Sequence, residues 1–136
     1  MKAYQSFATT LDELLRADQA VRLTVEGYMP LSVERIGNSG DGRPLVAISQ
    51  TAVQNGDLMR DPELVFEIFA LFAEPITFRN DYVGILQDVY DYDDHGRRTH
   101  LRPRLKAELK AFARIWFRNL RHQGFLGHAA RREVLS

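Results

Sequence analysis

Residues 45–72 read LVAISQTAVQNGDLMRDPELVFEIFALF, and in this segment two long, mainly apolar runs flank a single Asn-Gly pair. Asn55-Gly56 accommodates the positive φ angles of a type I′ turn, which predicts a β-hairpin. Pro62 interrupts the second run and cannot donate a ladder hydrogen bond, so we expect a bulge, a bend or a sheet edge there. Residues 64–72 are apolar at almost every position, which is typical of a central strand or of one covered on both faces.

Alternating patterns on both sides extend this hairpin into a larger sheet. Before it, residues 21–36 alternate between apolar and polar positions, apart from a short break, and residues 37–44 form a loop rich in turn-forming residues. After it, residues 75–78 and 83–92 form a further pair of strands around a polar turn. We therefore predict an antiparallel meander of five or six strands.

The N-terminal part of the chain has a helical pattern. Residues 7–19 place apolar side chains at helical spacing and predict a short amphipathic helix. Thr10 followed by Glu13 matches a capping box, although Ser6 would start the helix a turn earlier.

A longer helical pattern follows the sheet. Residues 105–121 have the spacing of an amphipathic helix that packs on the sheet, Pro103 suits its first turn, and Gly124 ends it. Residues 125–136 are either a loose tail or a short extra helix. In chain order, the elements are a helix, the antiparallel sheet and a second helix. Residues 1–136 are therefore predicted to form a single domain of the α+β class.

The composition limits the class of protein. The 136 residues include no Cys, which excludes disulfide frameworks, thiolate metal sites and cysteine nucleophiles. The longest uninterrupted apolar run, Ile68 to Ala73, is far too short to span a membrane. The first residues lack the apolar core of a secretory signal. We therefore expect a soluble cytoplasmic protein that does not associate with membranes.

Charge is sorted along the chain. Residues 1–96 include 16 acidic and 7 basic residues, whereas residues 97–136 include 11 basic and 2 acidic ones. The formal charges of the two parts are therefore −9 and +9, and they cancel in the total. A polarised distribution of this kind says little about the fold, but it predicts what the surface attracts.

The C-terminal helical pattern separates apolar from basic residues. At 100° per residue, an arc of about 100° holds the apolar residues Leu105, Leu109, Phe112, Ala113, Trp116 and Leu120. A second arc of about 120° holds the cations Lys106, Lys110, Arg114, Arg118 and Arg121. This basic face is either a stripe that contacts phosphates or a solvated face that offsets the acidic sheet. Phe117, at the border of the two arcs, is the aromatic side chain placed to stack on a base.

Acidic residues suggest a metal site, but no catalytic motif accompanies them. Asp57, Asp61, Glu63 and Asp81 would serve a metal-dependent hydrolase only if their four carboxylates converged on one ion. The His residues show no metal-type pair, and no nucleophile elbow, phosphate loop or dinucleotide fingerprint is present. We therefore predict no catalytic residue, no metal and no cofactor, and we favour a protein that is not an enzyme.

One part of the sequence resembles a known family. Its distinctive residues are QNGDLMRDPE at 54–63, Pro75, Arg79-Asn80-Asp81 and Gly84. Through them, residues 20–92 resemble a family of short bacterial proteins, a domain of unknown function carried on plasmids and integrative conjugative elements. The family has a His in the strand before the turn, where this chain reads Ser49-Gln50-Thr51-Ala52. The resemblance implies an accessory role on a mobile genetic element, such as DNA handling or interference with host defence.

The residues of this motif have two interpretations. They form the turn and the bend of a hairpin, or, as exposed polar residues in a loop, they form a site for a partner or ligand. The candidate residues, which we call the motif loop, are Asn55, Gly56, Asp57, Asp61, Glu63, Asn80 and Asp81.

The sequence leaves three hypotheses for function. We favour a non-enzymatic accessory protein of a mobile genetic element that binds a protein partner, because the chain has no net charge and its acidic half repels phosphate. The alternative is a nucleic-acid-binding protein that uses the basic face and loses affinity steeply with salt. The third is the metal-dependent hydrolase. A monomer and a homodimer are both compatible with these hypotheses.

Overall fold

A computed structural model of the chain describes residues 2–135, which form two helices and nine strands. The helices are α1 (Lys2–Leu15) and α2 (Pro103–His122). The strands are β1 (Ala20–Thr24), β2 (Leu31–Asn38), β3 (Pro44–Gln54), β4 (Asp57–Phe69), β5 (Phe72–Asn80), β6 (Ile85–Asp88), β7 (Tyr90–Tyr92), β8 (Arg98–Leu101) and, after α2, β9 (Arg131–Val134). The α+β class is confirmed.

Seven strands form one antiparallel sheet in the order β6-β5-β4-β3-β2-β1-β9. The first six follow one another as a meander, and β7 with β8 forms a separate hairpin. The predicted count of five or six strands is wrong because β9 pairs with β1 at the edge of the sheet. The sequence predicts a loose tail or a short extra helix for residues 125–136, and the four residues of β9 are too few to show a strand period.

The hairpin predicted from Asn55-Gly56 is confirmed. Asn55 has φ 54° and Gly56 has φ 84°, so both central residues adopt the positive angles that a type I′ turn requires. The ladder pairs Ser49 with Glu63 and then Thr51 with Arg60, which leaves one extra residue on β4 at the cis Asp61-Pro62 bond. The irregularity expected at the proline is therefore a bulge.

The apolar run of residues 64–72 is not one strand. β4 ends at Phe69, which pairs directly with Phe72 at the start of β5. Ala70, at φ 53°, lies in the turn between them. The prediction failed because the turn uses Ala in the left-handed region instead of a Gly, Asn or Pro that would mark it.

The first helix begins and ends earlier than predicted. α1 starts at Lys2, and Thr10 is buried within it, so the capping box is wrong. Arg16 and Ala17 follow the helix with φ 50° and 67°, which ends it well before Gln19.

The core lies between the sheet and the two helices. Phe66 of β4 packs against Phe7 of α1 and Phe117 of α2, with ring centroids 5.8 and 5.4 Å apart. Phe7 and Phe117 also contact each other edge to face at 5.5 Å. Phe117 is 6% exposed, so its predicted availability for base stacking is wrong. The two helices therefore lie together on the sheet and are joined by aromatic contacts beneath their outer surfaces.

Neither helix within residues 2–135 combines the length and the apolar character needed to cross a membrane.

Candidate functional site

An open groove of about 900 Å³ separates the outer surfaces of α1 and α2. Its cationic side chains are Lys2, Lys110, Arg114, Arg118 and Arg121. Its remaining lining residues are hydroxylic or apolar: Ala3, Ser6, Phe7, Thr10, Ala111, Ile115 and Phe117. We call this site the interhelix groove. Among the described residues, no Asp or Glu lines it.

The groove contains four of the five cations predicted for the basic face. Lys106 is the exception, because its Nζ atom lies 3.6 Å from Glu74 Oε2 and 3.4 Å from the Tyr90 hydroxyl oxygen. Arg121 makes an exposed ion pair, with 3.4 Å between its Nη2 atom and Glu13 Oε1. An exposed pair of this kind is worth at most about 1 kcal/mol, so Arg121 is only weakly neutralised.

Three of the groove's cations on α2 have no carboxylate partner among the described residues. Lys110, Arg114 and Arg118 make no ion pair with any carboxylate of residues 2–135. Their spacing of four residues places them on one side of α2 at intervals of roughly 6 Å along the helix axis. Lys110 Nζ also lies 5.4 Å from the centre of the Tyr4 ring on α1, a distance suited to a cation–π contact. The groove therefore holds a row of like charges close together.

Part of the predicted positive pole is paired with carboxylates elsewhere in the chain. Five basic residues beyond position 96 lie within ion-pair distance of carboxylates: Arg98, Arg102, Lys106, Arg121 and Arg132. The free positive charge of the C-terminal part is thus smaller than the formal charge indicates, and three of its free members lie together in the interhelix groove.

The motif loop is a network of ion pairs and hydrogen bonds centred on Asp81. Its carboxylate accepts hydrogen bonds from the Arg60 backbone N–H at 2.8 Å and from Arg79 Nε at 2.7 Å. These two hydrogen bonds hold the pKa of Asp81 below its usual value, and the one from the Arg60 backbone has the larger effect. Through these hydrogen bonds, Asp81 connects the turn after β5 to the neighbouring strand β4.

The other acidic residues of the motif loop do not converge on a common point. Asn80 Nδ2 donates to Asp61 Oδ1 at 2.7 Å, and Arg60 Nε lies 3.2 Å from Glu63 Oε2. Burial raises the pKa of Glu63 in spite of the nearby arginine. Asp57 lies beside the Asn-Gly turn, at the exposed start of β4. No group of three or more acidic or His side chains that could hold a metal ion occurs within the described part of the chain. The geometry that the hydrolase hypothesis required is thus not found there.

Residues 2–126 match the model of a family described as a domain of unknown function (DUF6908). The chain belongs to the DUF6908 family. No curated protein and no solved structure matches it. The matched segment of this DUF6908 protein is longer than the stretch 20–92 that resembled a known family in sequence, and it includes both helices and every residue that lines the interhelix groove.

Sequence reasoning missed a buried ionic cluster in this DUF6908 protein. Glu67 of β4 is 3% exposed and pairs with Arg98 of β8, while Arg43 Nη1 lies 3.6 Å from Glu67 Oε1. The Arg98 guanidinium also stacks 3.9 Å from the centre of the Tyr90 ring. The pKa of Tyr90 is raised, mainly by burial and next by its hydrogen bond to Glu74. A single Glu within an apolar run was the signal in the sequence, since a buried carboxylate requires a partner.

Proposed function

We propose that this DUF6908 protein is a non-enzymatic accessory protein of a mobile genetic element that binds an anionic partner in its interhelix groove. The observation that carries the proposal is the row of Lys110, Arg114 and Arg118, which make no ion pair within residues 2–135. The groove that they line has no Asp or Glu among its described residues. The mobile-element setting is supported by the QNGDLMRDPE motif of residues 54–63.

Electrostatics favour an anion in this groove. Like charges three and four residues apart on a helix destabilise it slightly, so the row costs the free protein a few tenths of a kcal/mol per pair. An anionic partner removes that repulsion and gains charge-assisted hydrogen bonds, which are about twice as strong as neutral ones. A concave surface bordered by one sign of charge also focuses its field and speeds the encounter with an opposite charge.

The motif loop fits a positioning role in this proposal. The polar side chains of Asp61, Asn80 and Asp81 are engaged with neighbours on β4 and β5. Their contacts hold the hairpin of β3 and β4 against the turn that follows β5. Binding is therefore assigned to the helical face, and the motif loop contributes to stability.

Heparin chromatography tests the proposal, because heparin is a polyanion that reports accessible clusters of cations. The test variant is the double charge reversal Arg114→Glu with Arg118→Glu. The matched control is Arg22→Glu with Arg97→Glu, which changes the net charge equally at two exposed residues that make no ion pair within residues 2–135. We expect the groove variant to elute at much lower salt than both the wild type and the control. Equal shifts for the two variants would show that only net charge matters and would refute the proposal.

A further inference from the structure

We infer that the interhelix groove binds an acidic peptide segment that also bears apolar side chains, supplied by a protein partner. This inference rests on the proposed function and adds the chemical class of the anion. Three features of the groove support this class: the geometry of its cations, its exposed apolar wall and the burial of its aromatic side chains.

The cations suit carboxylates. Arg114 and Arg118 each present a planar guanidinium that can hold a carboxylate through two parallel hydrogen bonds. Together with Lys110 they offer three positions at intervals of roughly 6 Å along α2. Carboxylates projecting from one face of a peptide can occupy these positions at the same time.

The wall between the cations is apolar. Ile115 follows Arg114 directly in α2 and is 52% exposed, although it belongs to a helix whose other large apolar side chains are mostly buried. Ala3 of α1 and Ala111 of α2 add small apolar surfaces to the same groove. An aliphatic side chain of a peptide would remove Ile115 from water and gain about 25 cal/mol for each Å² of apolar area buried. A polyanion with charges alone leaves this surface exposed.

The aromatic residues of the groove argue for a peptide over a nucleic acid. Single-stranded nucleic acids are held by aromatic rings on which their bases stack. Phe7 and Phe117, the aromatic residues among those that line the groove, are only 2% and 6% exposed. Their faces are occupied by each other and by Phe66. The residues that line the groove thus offer charge and aliphatic contact, and their two aromatic rings are covered.

Fluorescence anisotropy with three labelled probes of equal length tests the inference. The probes are a peptide of Glu and Leu, a peptide of Glu alone, and a single-stranded oligonucleotide. We expect the Glu–Leu peptide to bind most tightly to the full chain. The Arg114→Glu, Arg118→Glu variant should weaken it by about tenfold or more, while the Arg22→Glu, Arg97→Glu control changes it by less than about threefold.

A second variant isolates the apolar contact. Ile115→Gln replaces an exposed apolar side chain by a polar one of similar size. Gln also has a higher helix propensity than Ile, so the variant should fold as the wild type does. It should reduce the affinity for the Glu–Leu peptide to that of the Glu-only peptide and leave the latter unchanged. Retained circular dichroism and unchanged Trp116 fluorescence confirm that each variant is folded.

The outcomes separate this inference from the proposed function. If the oligonucleotide binds most tightly and depends on Arg114 and Arg118, the peptide inference is overturned and the anion-binding groove stands. Equal affinity for the two peptides, with no effect of Ile115→Gln, also overturns the inference alone. If no probe depends on the two arginines, both the inference and the proposed function fail.

Discussion

Arg132→Ala should destabilise the protein strongly, although Arg132 lies at the edge of the sheet. Its guanidinium donates hydrogen bonds to the carbonyl oxygens of Leu14 and Leu15 at 2.5 and 2.6 Å, and to Asp18 Oδ2 at 2.8 Å. These acceptors lie at or just after the C-terminal end of α1, where carbonyl groups lack helical partners and a positive charge is favourable. Arg132 therefore attaches β9 to the helix that forms one wall of the interhelix groove.

The size of the effect follows from these three contacts. A hydrogen bond that involves a charged group contributes about 1.5–3 kcal/mol net. The Arg132 side chain is 17% exposed and that of Asp18 is 35% exposed, so solvent screens their ion pair and limits it to about 1 kcal/mol. Water can also reach the carbonyl groups once the guanidinium is gone, which offsets part of their loss. We therefore expect the free energy of unfolding to fall by about 3 kcal/mol.

Urea unfolding followed by the fluorescence of Trp116 measures this quantity. Trp116 is the single Trp of the chain and is 7% exposed, so its emission reports exposure of the core. The matched control is Arg131→Ala, since Arg131 is an exposed neighbour that makes no ion pair within residues 2–135. The control should lie within about 0.5 kcal/mol of the wild type. Equal stabilities for the two variants would refute the reasoning.

Three further predictions concern the sheet and its loops. Gly40→Ala should lower the melting temperature, because a Cβ atom there would lie 2.0 Å from the Gly96 carbonyl oxygen; a wild-type melting temperature would contradict this close approach. Arg98→Ala should reduce the free energy of unfolding by about 3 kcal/mol, since it removes the main partner of the buried Glu67, and adding Glu67→Gln should restore part of the loss in the same urea assay. Asp81→Asn should be less stable than the wild type at neutral pH. Folding lowers the pKa of Asp81 from its ordinary value of 3.8. The difference in unfolding free energy should therefore persist down to about pH 5 and shrink as the pH falls through the lowered pKa of the folded protein. A difference that stays constant when urea unfolding is repeated over a series of pH values would contradict this.

Part of the fold was predictable because local chemistry decides it. Asn55-Gly56 permits the backbone angles of a tight hairpin, and Pro62 requires an interruption of the ladder, so both features can be deduced from residue type. The turn at Ala70 could not be predicted, since Ala has no preference for the left-handed region it adopts. β9 could not be predicted either, because its strand exists through pairing with β1, more than 100 residues earlier in the chain.

The candidate site was predictable on one side only. Helical periodicity placed Lys110, Arg114 and Arg118 together, and the structure retains that row. The position of α1 depends on tertiary packing. The presence of Lys2 in the groove could therefore not be predicted from the residues around it in the sequence. The neutralisation of Lys106 by Glu74 also depends on a contact between distant elements. Charge counted along a sequence therefore overstates the free charge of the folded surface.

The most direct test of the binding groove is a titration of the isotope-labelled full chain with the Glu–Leu peptide, followed by two-dimensional NMR of the backbone amides. We predict saturable shifts that cluster in α1 and around residues 110–121 of α2, with the amides of β6 and of the β7–β8 hairpin unchanged. Shifts that cluster on the sheet edge or the motif loop, with none along the two helices, would contradict the account.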